Sequence, residues 1–213
     1  MKSPLSQSQL GVYYACVTNS DNNTNYQNPA LIDLPANVDL HRVQQAVYEA
    51  LCAHPYLASR IVLGDDGEPQ VESGTFPPID EAVPIIPITS LDEVRPTFGK
   101  TMDIHGEILY RCEIYTSHLF IDFHHVLTDG FSLIVFLRDL ERCFNGKKPA
   151  GEVMDGAAVA KEEEAIRADA SRMAEAREWY AKTFCDAADT DSLPLPESKL
   201  RSEERFSRNA ETD

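Results

Sequence analysis

Leu119-Phe120-Ile121-Asp122-Phe123-His124-His125-Val126-Leu127-Thr128-Asp129-Gly130-Phe131-Ser132 reads as an apolar strand that delivers two adjacent histidines into a short loop. Neighbouring residues of a strand point to opposite faces, so one imidazole can be held by packing while the other is offered to a cavity. Histidine is the side chain whose ordinary pKa suits acid–base work near neutral pH. Asp129 is placed to orient the loop, and Gly130 permits a close backbone approach that a side chain would block. After the loop, Ser132 to Phe144 has strong helical periodicity and stops at Asn145-Gly146, a good helix end.

Outward from this stretch the chain alternates strands and helices. Leu5 to about Cys16 predicts a short helix, with Leu10, Tyr13 and Tyr14 at helical spacing, and a polar loop covers Asn19 to Asn28. Ala30 to Leu34 predicts a strand. Asp39 is placed to cap a helix running to about Ala53, with Val43, Ala46, Val47, Ala50 and Leu51 on its buried face. Leu57 to Leu63 predicts a strand that turns through Gly64-Asp65-Asp66-Gly67 into a return strand at Gln70-Val71-Glu72. A strand around Ile85 to Ile88, a small helix over 91–99, and strands at Ile108 to Tyr115 and Leu119 to Phe123 follow. Strands mixed with helices and hairpins predict a layered α/β domain over residues 1–150. A charged helix occupies 151–186, periodic from Ala160 to Phe184 with Trp179 and Tyr180 as a late apolar anchor, and 187–213 reads as a polar, Pro-punctuated linker.

Composition excludes several functions. With 19 basic against 35 acidic residues, the formal charge is −16, the wrong sign for nucleic acid or an anionic membrane. No apolar run approaches the roughly 18 residues of a membrane span. The N-terminus lacks the apolar core of a signal peptide. Cys16, Cys52, Cys112, Cys143 and Cys185 are dispersed, without a Cys-x-x-Cys pair, and read as reduced packing thiols of a cytoplasmic, metal-free protein. Glu162-Glu163-Glu164 reads as a solvated helix face, since adjacent carboxylates diverge on a helix. His41, His54, His105 and His118 read as surface or capping residues.

His124-His125-x-x-x-Asp129-Gly130 resembles the signature of the condensation domains of nonribosomal peptide synthetases and their acyltransferase relatives. Leu5-Ser6-Gln7-Ser8-Gln9 followed by Tyr13 resembles the family's first motif. His54-Pro55-Tyr56-Leu57-Ala58-Ser59-Arg60 resembles its second, and Gly106-Glu107-Ile108-Leu109-Tyr110-Arg111 its Pro-Leu-x-Arg strand, with Glu107 in place of proline. Glu178-Trp179-Tyr180 and Leu193-Pro194-Leu195-Pro196 resemble the segment leaving the N-terminal half.

The resemblance implies a chloramphenicol-acetyltransferase-like α/β sandwich, of which residues 1–150 form one half, the N-terminal lobe. Residues 151–186 would then be the crossover helix, and 187–213 would lead into a C-terminal lobe not contained in the chain. It implies His125 as the residue at the reacting amine, Gly130 as a backbone N–H donor near the developing oxyanion, and His124 as structural. Asp129 is expected to pair with an arginine. Arg60, on the same strand face as the position after Leu57, is the first choice and Arg111 the second. Ser132 assists at the helix start or caps it. The implied reaction joins a donor acyl or peptidyl thioester to an aminoacyl thioester, both on phosphopantetheine arms of partner carrier proteins, so the domain itself binds no cofactor. The lone lobe is expected to be inactive and to expose an apolar face that favours self-association. A freestanding acyltransferase using acyl-CoA or a carrier protein, and a non-catalytic carrier-docking domain, are the competing readings.

Overall fold

The computed structural model describes residues 2–18, 25–152 and 156–185. The chain divides into two units, Met1–Ala165 and Ile166–Asp213. In the first unit β1 (Lys2–Pro4) leads into α1 (Gln7–Thr18), then β2 (Gln27–Asp33) and α2 (Leu40–Ala53). The hairpin of β3 (Arg60–Leu63) and β4 (Pro69–Glu72) follows, then one helical turn, α3 (Ile79–Ala82). Next come β5 (Tyr110–Ile114), β6 (His118–His124) and α4 (Gly130–Phe144); α5 (Gly156–Ala168) has its last three residues in the second unit. Two antiparallel three-stranded sheets result, in orders β1-β4-β3 and β2-β6-β5.

Strand β6 decides the architecture. Leu119, Ile121 and Phe123 pack with Val43, Ala46, Val47, Ala50 and Leu51 of α2 and with Phe136 and Cys143 of α4. The helix face of α2 is the expected one, and Asp39 caps it by accepting the His41 and Arg42 N–H groups. The other face of β6 carries Phe120, Asp122 and His124 and is also buried, because Phe98 stacks on Phe120 at 4.5 Å and the Lys100 carbonyl accepts from Gln27. A strand covered on both sides reads as a continuous apolar run, which is why this segment is legible. A second cluster (Leu5, Tyr13, Cys16, Ile61, Val71, Leu109 and Val126 among its members) joins α1 and the β1-β4-β3 sheet to the loop after β6.

Several expected boundaries move. Residues Pro55–Ala58 form a 3-10 turn and β3 starts only at Arg60. Pro55 fixes its own φ and opens that turn, which closes with Leu57 N–H to the His54 carbonyl and Ser59 N–H to the Tyr56 carbonyl. The expected strand at Ile85–Ile88 reduces to one bridge, Ile85 with Ile114, since the flanking Pro84 and Pro87 cannot donate to a ladder. Residues 91–99 hold two 3-10 turns, Leu91–Glu93 and Arg95–Thr97, with Val94 between them and Pro96 inside the second. Helix α4 begins at Gly130, with Asp129 rather than Ser132 as its cap. The charged helix is two helices, because Asp169 caps α6 (Ala170–Thr183) through the Arg172 N–H. In this second unit the rings of Trp179, Tyr180 and Phe184 contact one another and each is more than half exposed. The expected linker over 187–213, Leu193-Pro194-Leu195-Pro196 included, lies outside the described residues.

Candidate active site

Strand β6 ends by splitting its two histidines. His124 is 1% exposed; its N–H donates to the Leu109 carbonyl, and its carbonyl accepts from Leu127 N–H and Thr128 Oγ1. Its Nδ1 accepts from the Val126 N–H at 3.1 Å, so in the neutral ring the proton sits on Nε2, facing Cys16 Sγ at 3.9 Å. Burial, with His125 adding a smaller like-charge effect, pushes the His124 pKa down to about 4. This imidazole is neutral and packed.

His125 turns the other way. Its N–H is held by the Tyr26 carbonyl at 2.7 Å, while its half-buried ring lines a cavity of about 780 Å³. Among the described residues no side-chain hydrogen bond occupies the ring. The loop is held from α1: Gln9 Nε2 donates to the Val126 carbonyl at 2.9 Å and to Tyr56 Oη at 2.8 Å. Gln9 can do so because Ser6 and Gln9 exchange a capping box, Gln9 N–H to Ser6 Oγ and Ser6 N–H to Gln9 Oε1. The Leu-Ser-x-x-Gln motif therefore supports the histidine loop. Glu163 accepts the Gln7 N–H at 2.9 Å in an exposed bond at the positive end of α1.

Asp129 has a different partner from the one expected. Its carboxylate accepts the Ser132 N–H at 2.8 Å and Ser132 Oγ at 2.7 Å, and Ser132 Oγ receives the Asp129 N–H. Ser132 is thus the reciprocal member of the cap. The side-chain bond from Ser132 leads the causes that hold the Asp129 pKa below the ordinary carboxylate value. Arg60 donates to the Gly106 carbonyl, because Ile61 of β3 bridges His105 and carries its neighbour to that side. Arg111 pairs with Glu113 at 3.0 Å, donates to the Thr97 carbonyl and lies over the Phe120 ring. Neither arginine forms an ion pair with Asp129. Asp129 and Ser132 line the cavity, as does Phe131, the most exposed large apolar side chain of the described residues at 79%. A Cβ placed on Gly130 would meet nothing within 4 Å, so crowding within this chain does not require the glycine.

His54, read as a surface or capping residue, does cap α2, its N–H donating to the Leu51 carbonyl, but it is buried rather than on the surface and lies in the cavity wall. Its Nε2 lies 3.0 Å from Asp139 Oδ2 in the middle of α4. Burial works to raise the Asp139 pKa, but the N–H groups of Ala150 and Gly151, with His54, outweigh it and the pKa lies below the ordinary value. The Asp139 carboxylate accepts those N–H groups at 2.7 and 2.8 Å, joining α2, α4 and the chain after α4. His105 meets Tyr13 Oη at 3.0 Å. Of the five cysteines, Cys16, Cys112 and Cys143 are buried packing thiols, whereas Cys52 and Cys185 are exposed. No helix of the described residues is long and apolar enough to cross a membrane.

The condensation domain family model matches residues 1–212, and the chain belongs to that family. It is 23% identical over 189 residues to bacitracin synthase 2 of Bacillus licheniformis, covering 85% of this chain and 7% of that one. To a plipastatin synthase polypeptide of Bacillus subtilis (strain 168) it is 24% identical over 150 residues, 68% of this chain and 6% of the other. The starter condensation domain of the rhizomide synthetase RzmA aligns at a TM-score of 0.72 and 14% identity, over 89% of this chain and 49% of the other. The first condensation domain of the calcium-dependent antibiotic synthetase, in complex with substrate analogue 2a, gives 0.69 and 18%, over 89% and 49%. At these identities the likeness shows the fold. It is the α/β fold expected, that of a chloramphenicol-acetyltransferase-like lobe. The chain spans about half of each solved domain and a small part of each synthase. The family is one of acyltransferase-type enzymes of nonribosomal peptide synthetases.

Proposed function

We propose that this chain supplies the histidine-bearing lobe of a condensation domain that forms an amide between a carrier-bound acyl or peptidyl thioester and a carrier-bound aminoacyl thioester. The observation that carries the reading is the division of the histidine pair: His124 is packed and neutral, while His125 is pinned by its backbone with its ring in the cavity wall. The amine nitrogen bonds to the thioester carbon and the C–S bond breaks. The amine proton leaves through His125, and the departing thiolate is protonated. A rigid backbone with a free ring suits positioned acid–base work. Gly130, at the first position of α4, is the donor we assign to the developing oxyanion. The phosphopantetheine arms belong to the donor and acceptor carrier proteins, and the other lobe completes the cavity, so the lobe alone is inactive.

The test is amide formation by the whole synthetase with loaded donor and acceptor carriers, read by mass spectrometry, for wild type and His125→Ala. Loss of product with carrier binding intact is expected. Equal product from both would remove His125 from the chemistry, and product made from acyl-CoA without carriers would favour a freestanding acyltransferase.

A further inference from the structure

His54 and His125 lie in the wall of one cavity, yet they are held in opposite ways. His125 is fixed by its backbone, whereas His54 is fixed by its ring, through Nε2 and Asp139 Oδ2 at 3.0 Å. Asp139, whose side chain is 2% exposed, also receives the Ala150 and Gly151 N–H groups; facing that carboxylate, a His54 ring carrying one proton holds it on Nε2 and keeps a lone pair on Nδ1. Among the described residues Nδ1 has no hydrogen-bond partner. The polar side-chain atoms that are both sealed from solvent and without a partner are Gln27 Oε1, Asn28 Nδ2 and Asp122 Oδ1. His54 Nδ1 is not one of them, and His54 lines the cavity. Phe136, in tilted contact with the His54 ring at 6.1 Å, and Leu57 line the same wall, so an acceptor there stands against apolar neighbours.

We infer that His54 Nδ1 is a second substrate-binding atom of this cavity, a fixed hydrogen-bond acceptor for an N–H of the aminoacyl substrate. The inference rests on the proposed reading of the cavity as an aminoacyl-thioester site. A purely structural histidine would need only the Asp139 contact. That contact joins α2 to α4 through Nε2 alone and leaves Nδ1 unused, so the two roles are separable by mutation. His54→Gln places an amide N–H near the Nε2 position and keeps the link to Asp139, while it removes the Nδ1 acceptor.

The probe is glycine joined by an amide to N-acetylethylenediamine, a stable mimic of an aminoacyl pantetheine end, titrated into the 15N-histidine-labelled whole condensation domain, where the other lobe completes the cavity, and followed by long-range 15N–1H correlation. The expected result is a His54 ring protonated on Nε2, with a saturable change at Nδ1 as the probe binds. His54→Gln should keep the wild-type melting temperature within a few degrees and bind the probe about three- to tenfold more weakly, the range of one neutral hydrogen bond. A His54 ring protonated on Nδ1, or undiminished binding by His54→Gln, overturns the inference. Changes confined to His125 also overturn it while leaving the proposed function standing. Silence at both rings counts against the inference and the proposed reading together.

Discussion

Asp122→Asn should stabilise this protein at neutral pH. Asp122 is fully buried on the Phe120–His124 face of β6, and its Oδ1 has no partner among the described residues. Gln27 Nε2 donates to Oδ2 at 2.8 Å. Burial raises the Asp122 pKa from 3.8 to about 6, against the opposing pull of Arg111 and the bonds from Gln27 and the Asn28 backbone. For an acid raised on folding, the unfolded chain releases its proton first as pH rises. Stability is therefore full below 3.8 and falls as pH rises through about 6. Roughly two pH units at about 1.4 kcal/mol each is a cost of about 3 kcal/mol at pH 7. Asparagine carries no charge to bury and can still accept from Gln27. Desolvating its amide offsets part of the gain, so about 1–2 kcal/mol, or roughly 2–8 °C in melting temperature, is expected.

His124 provides an internal control. Its pKa falls on folding from 6.5 to about 4, so the unfolded chain binds the extra proton and stability rises with pH across that window. Between about pH 4 and 6 the two residues oppose each other in the wild type. In Asp122→Asn only the His124 effect remains, and stability should climb by up to about 1.4 kcal/mol per pH unit relative to wild type. Urea denaturation of both proteins at pH 4, 5, 6 and 7 measures this. A mutant no more stable than wild type at pH 7, or a gain equally large at pH 4, would refute the reasoning.

Three further outcomes follow from named contacts. Gln9→Ala leaves the Val126 carbonyl and Tyr56 Oη without their bonds from α1, so a loss of about 1–3 kcal/mol is expected in urea denaturation. The amide exchange of Val126 and Leu127 should also quicken. Asp129→Ala removes the α4 cap and should cost about 1 kcal/mol; an unchanged melting temperature would sink the structural role of this carboxylate. Gly74→Ala would drive a Cβ into the Ala58 carbonyl, at about 1–3 kcal/mol in the same assay, because the 3-10 turn that places Ala58 is backbone and cannot rotate away.

The sequence carries the strand β6, the amphipathic faces of α2 and α4, and the separation of His124 from His125, because each depends on residues close together in the chain. What it hides depends on long-range partners. The resemblance, carried along the strand by alternation, pairs Arg60 with Asp129, but β3 starts after the Pro55 turn and its bridge to His105 carries Arg60 toward Gly106. Meanwhile Ser132, three residues from Asp129, satisfies the carboxylate locally. His54 looks peripheral beside Pro55, and only the packing of α2 on α4 brings it to Asp139 across 85 residues of sequence. Ser6-x-x-Gln9 has the form of a capping box, yet nothing local tells that Gln9 reaches Val126. Asp122 sits in a strand where every second residue is free to face water; the 98–100 segment that covers that face is far away in sequence.

Strand β6 gives one imidazole to the packing and offers the other to the cavity. Timed carbethoxylation of the folded chain with diethyl pyrocarbonate at neutral pH, mapped by peptide mass spectrometry, tests this division most directly. Rapid modification of His125 is predicted, with His124 protected until the chain unfolds. Modification of His124 as fast as His125, or protection of both, would contradict it.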